Sequence, residues 1–103
     1  MVATSAALAR IDLDLKLLHL MLGDLPEIAE EWDHLGEGER VGWNLDWDQV
    51  MGALEVTLHP AYLAGSMTPS QQKRYRRILQ ILKQSLPIIG RLSLCPPAIP
   101  LES

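Results

Sequence analysis

Residues 5–22, SAALARIDLDLKLLHLML, decide the fold. Ile11, Leu13, Leu15 and Leu17 alternate with Asp12, Asp14 and Lys16, which is the period-two pattern of a half-buried strand. The alternation breaks at Leu18, and Ile11 is the one β-branched residue of the run. Leu8, Ile11, Leu15, Leu18 and Leu22 meanwhile fall at helical spacing. The stretch is therefore expected to be a helix. At about 100° per residue it carries a second apolar stripe of Leu13, Leu17, Leu20 and Met21. A helix that is apolar on two sides must be covered on two sides.

Outward from this stretch the chain punctuates itself. Gly23 fits the residue after a helix end. Asp24-Leu25-Pro26-Glu27 fits a cap, an early proline and a capping-box partner, opening a second helix with Leu25, Ile28, Trp32 and Leu35 on one face. Gly36, Gly38 and Gly42 suggest a loop. Asp46-Trp47-Asp48-Gln49 is a further capping pattern, ahead of Trp47, Val50, Met51, Leu54 and Leu58. Pro60 ends that third helix or begins a short turn through Leu63. Thr68-Pro69-Ser70-Gln71 is the strongest cap, with Pro at the first helical position and Gln two residues later. The fourth helix then buries Tyr75, Ile78, Leu79, Leu82 and Leu86, and Pro87 kinks or stops it. The expectation is an all-α chain: a small antiparallel bundle of four main helices with room for a short fifth. Residues 1–94 form one domain, residues 1–4 are the weakest candidates for regular structure at its start, and 95–103 form a Pro-rich tail, an extended strip that cannot continue a helix.

Charge is sorted along the 103 residues. Residues 1–55 hold 3 Lys/Arg against 12 Asp/Glu, and residues 56–103 hold 6 against 1. Such sorting directs attention to an acidic partner for the basic half. The cations gather in Lys73-Arg74-Tyr75-Arg76-Arg77, with Lys83 and Arg91 downstream. On a helix Lys73, Arg76, Arg77 and Lys83 project opposite the apolar face. They could meet phosphates, but the sequence pI of about 5.2 is far from that of a basic nucleic-acid reader. The acidic residues Glu27, Glu30 and Glu31 offer a complement, within one chain or across a dimer.

Catalytic patterns are sparse. Glu31-x-x-His34 has a di-iron spacing, but a second such motif is missing. Glu55 and His59 are a weak i, i+4 pair. His19 falls between the two stripes of the first helix, the place of a structural histidine. Gly36-Glu37-Gly38 lacks any phosphate-binding fingerprint. The single cysteine, Cys95, cannot form an internal disulfide, which fits a reducing compartment. Neither a signal peptide nor an 18-residue apolar run is visible, so no membrane role and a cytoplasmic location are expected.

These features favour a non-catalytic protein–protein interaction module, an adaptor, scaffold or regulatory subunit, working as a homodimer. Its expected contacts are Leu13, Leu17 and Leu20 for a second copy, and Lys73, Arg76, Arg77 and Lys83 for an acidic protein. No cofactor and no metal site are expected. A small nucleic-acid-associated regulator using the basic helix 70–86 ranks second. A metal-dependent helical enzyme using Glu31, His34, Glu55 and His59 ranks third.

Overall fold

The inner stripe of the first helix does not stop at Leu22. Ile11, Leu15, Leu18, Leu22, Leu25 and Ala29 step by three or four residues and are all buried. One helix, α1, therefore runs from Ser5 to Glu31, capped by the Thr4 hydroxyl, which accepts from the Ala7 N–H at 3.1 Å. The structure, a computed structural model, describes residues 4–101. Expectations for residues 1–3, 102 and 103 lie outside the described residues.

This corrects the expected break at Gly23–Glu27. A mid-helix glycine costs about 1 kcal/mol and a proline about 3 kcal/mol against alanine. Burying Leu25, at 0% exposure, and Ala29 on the same face offsets them. Pro26 sits inside the helix, and Gly23 is exposed with open space where a Cβ would stand.

A single 3-10 turn, Trp32–His34, follows. Then α2 spans Glu37–Ala53, through two of the glycines expected to form a loop and through the cap expected at Asp46. Its buried face, Trp47, Val50 and Met51, continues into a π turn at Leu54–Leu58 and on into the short α3, His59–Leu63. The wide turn keeps Leu54 and Leu58, four residues apart, both at 0% exposure. These pieces form one unbroken rod. It ends in a Schellman motif: the Ser66 N–H donates to the Ala61 carbonyl at 2.9 Å, the Gly65 N–H donates to Tyr62, and Gly65 takes φ +70.

The last rod, α4 at Pro69–Arg91, opens as the sequence indicates. The Thr68 hydroxyl accepts from the Gln71 N–H at 3.1 Å, and the Thr68 N–H donates to Gln71 Oε1 at 3.0 Å. Tyr75, Ile78, Leu82 and Ile89 are buried, whereas Leu86, expected among them, is exposed. Pro87 lies within the helix and does not stop it. At the end Ser93 takes φ 57 and the Leu94 N–H donates to the Ile89 carbonyl, a second Schellman motif closed by two buried side chains.

The described residues are thus all-helical, but as three rods and not four main helices. The count changes the topology. Gln71 donates to Leu8 O and Asp12 Oδ1 at 3.0 and 2.8 Å, Arg74 reaches Asp12, and Arg91 donates to Ala29 O. The first turns of α4 therefore meet the first turns of α1, and the last meet the last. The two run parallel, with α2 antiparallel between them in chain order. Pro26 and Pro87 fall nearly level. Past α4, Leu94 is buried and the Trp47 indole N–H donates to the Cys95 carbonyl at 2.7 Å, so the chain after α4 folds back onto α2.

Candidate interaction surfaces

The other two rods cover one side of α1 and leave the other open. Leu13, Leu17 and Leu20 stand 48%, 43% and 52% exposed. Leu17 also lines a groove of about 560 Å³ between α1 and α2, together with Arg10, Asp14, Gln49 and Val56. Val56 is strongly exposed and extends the apolar surface beyond α1. Asp14, at 4% exposure, is held by the Arg10 guanidinium, whose Nε donates to it at 3.3 Å.

On the other flank of α1, a groove of about 540 Å³ lies against α4. Leu15 and Ile78 form its floor, and Lys16, Lys73, Arg74, Arg76 and Arg77 surround it with His19. Arg74 is paired with Asp12 at 3.1 Å. Lys73, Arg76, Arg77 and Lys83 are exposed on α4. The fold adds Lys16 to the cation cluster and sets His19 beside it, a grouping the linear charge pattern conceals because Lys16 sits in the acidic half.

Glu27, Glu30 and Glu31 are exposed, but they do not sit beside this cluster. Residue i of α1 lies level with residue i + 62 of α4, from both Asp12–Arg74 and Ala29–Arg91. Lys73 and Arg77 are thus level with residues 11 and 15. The glutamates lie 12 or more residues beyond these, at least about 18 Å at 1.5 Å per residue. That exceeds the screening length of about 8 Å at physiological salt. Within one chain the helix order therefore holds Lys73, Arg76 and Arg77 apart from these glutamates, whereas Lys83, level with residue 21, lies only six residues, about 9 Å, short of Glu27.

The metal-like pairs separate as well. Glu31 ends α1, His34 ends the 3-10 turn, and both are exposed. Glu55 is exposed, while His59 Nδ1 lies 2.8 Å from the Tyr75 hydroxyl in the core. Tyr75 is fully buried, and burial, helped by the neighbouring Tyr62, holds its hydroxyl well above the usual phenol range. Among the described residues no three His, Cys, Asp or Glu side chains converge on a metal-sized site, and no helix is long and apolar enough to cross a membrane. Cys95 is exposed. Trp43 stacks on Trp47 at 5.7 Å between ring centroids, and Trp32 packs partly against the core.

No protein-family model matches the chain, and neither a curated protein nor a solved structure matches it.

Proposed function

We propose that this chain is a non-catalytic protein–protein interaction module, an adaptor, scaffold or regulatory subunit, that pairs with a second copy of itself through the outer face of α1. The observation that carries the reading is the row of three half-exposed leucines on successive turns, opposite the buried stripe. Fully burying a leucine contributes about 1.5–3 kcal/mol. Six half-exposed leucines across a pair therefore offer roughly 5–9 kcal/mol before the association cost of about 4 kcal/mol or more. The net is at most about 5 kcal/mol, so the leucines alone give a dimer with Kd no tighter than about 0.2 mM. Sedimentation equilibrium between about 10 µM and 1 mM tests it. Leu17→Glu should yield a monomer whose circular dichroism and melting match the parent. A parent that stays monomeric across this range refutes the reading.

The α1–α4 groove supports a second contact, with an acidic protein segment. The supporting observation is that the fold gathers Lys16 with Lys73, Arg76 and Arg77 around one concave site. Nucleic acid is the lesser reading for this face, because a chain of net charge −4 opposes approach to a polyanion. DNA or RNA should bind no more tightly than about 10⁻⁵ M near physiological salt, weaker than typical specific complexes. A cytoplasmic setting is part of the proposal and rests on the unpaired Cys95.

A further inference from the structure

The outer face of α1 carries more information than its leucines. Positions 10, 13, 17, 20, 24 and 27 alternate in steps of three and four, the a and d spacing of a coiled-coil seam. They read Arg10, Leu13, Leu17, Leu20, Asp24 and Glu27, and every one is exposed. The apolar residues occupy the middle. A cation stands at the N-terminal end and two carboxylates at the C-terminal end.

Resting on the self-association proposed above, we infer that the second copy lies antiparallel, about a two-fold axis near Leu17. A parallel pair would set Arg10 against Arg10 and the carboxylates against themselves, which is repulsive at both ends. An antiparallel pair sets each Arg10 against Asp24 and Glu27 of the other copy. One two-fold operation makes the contact twice. The helix dipoles favour the same arrangement, since each positive helix end then adjoins a negative one. The Arg10 Nε engages Asp14 within its own chain. A guanidinium carries five N–H donors, so the fork retains capacity for a carboxylate across the axis. The groove between α1 and α2 widens the contact, because Leu17 and Val56 line it together.

The experiment uses the full chain with Cys95→Ser, so that the exposed native thiol does not react. Three single-cysteine variants, Leu17→Cys, Arg10→Cys and Asp24→Cys, are oxidised mildly and run on non-reducing gels. Leu17→Cys should cross-link to itself. Arg10→Cys and Asp24→Cys should not cross-link alone, but should do so when the two proteins are mixed. Charge reversal gives a second readout in which no covalent bond is needed. Arg10→Glu should weaken the dimer about tenfold, and adding Asp24→Lys and Glu27→Lys to the same chain should restore it to within about threefold. Self-cross-linking of Arg10→Cys would overturn the orientation. So would a dimeric parent in which neither the mixture cross-links nor the charge reversal changes affinity. A Cys95→Ser parent that is monomeric in the centrifuge would instead refute self-association itself, so the two failures are distinguishable.

Discussion

Replacing Gly23 by alanine discriminates between the three-rod fold and a chain with a helix boundary at that point. In the structure Gly23 sits inside α1, and a Cβ built on it meets nothing within 4 Å. Alanine there gains helix propensity and reduces the freedom of the unfolded chain, with no clash to offset the gain. The expected effect is a stabilisation of about 0.8–1 kcal/mol. For a domain near 100 residues that raises the melting temperature by about 4–8 °C. If Gly23 instead closed a shorter helix in the left-handed region, alanine would cost about 1 kcal/mol and lower the melting point by a similar amount. Gly65→Ala is the control of known sign, because Gly65 takes φ +70, and it should destabilise. Thermal melts followed by far-ultraviolet circular dichroism, with urea titrations for the free energy, measure both. A destabilised Gly23→Ala protein would refute the continuous α1.

Gln71→Leu keeps the side-chain volume but strands the Thr68 N–H and takes a donor from Asp12; it should cost about 2–3 kcal/mol in urea titration. Ser93→Gly relieves a positive φ at the end of α4 and should stabilise by about 0.5–1 kcal/mol, read from the melting point. Tyr75→Phe removes the hydroxyl beside His59 and should cost about 1 kcal/mol at neutral pH. The Tyr75 hydroxyl is raised above its ordinary value of 10.0 in the folded state. The unfolded state therefore releases its proton first, and stability should fall as pH rises past about 10. Tyr75→Phe should lose that part of the alkaline decline in urea titrations from pH 8 to 11.

What the sequence made legible is what local chemistry alone settles. The capping box at Thr68 and Gln71 involves residues three apart, and its geometry needs no tertiary partner. The inner stripe of α1 follows from helical spacing, and so does the outward placement of Lys73, Arg76 and Arg77. The break at Gly36 held, as the extended N-cap of α2, but the expected breaks at Gly23–Glu27, Gly38–Gly42 and Asp46 failed together, for one reason. Glycine, proline and aspartate mark breaks only when burial on the same face is too small to override them, and Leu25, Ala29 and Trp47 provide that burial. With four helices the first and last would oppose each other; with three rods they lie parallel, which brings Lys16 and His19 beside the basic cluster. That proximity depends on the count of helices and cannot be obtained from either segment alone.

Pro26 in α1, Pro87 and Gly90 in α4, and Gly38 and Gly42 in the opening turns of α2 all fall toward the same end of the molecule, where each rod is a poor helix former. Two arginines stand there as fasteners. The Arg40 guanidinium donates to the carbonyls of Trp32 and Asp33 at 2.8 and 3.1 Å, and Arg91 donates to that of Ala29 at 3.1 Å. Both thus tie down carbonyls at the C-terminal end of α1. Along the 47 Å length of the bundle, the Gln71 side chain ties α4 to Leu8 and Asp12 at one end, and the two arginines tie the other, where the prolines and glycines gather. Amide protons beyond the prolines should therefore exchange while the Ile11–Leu22 turns remain shut, so the molecule opens from one end like a purse.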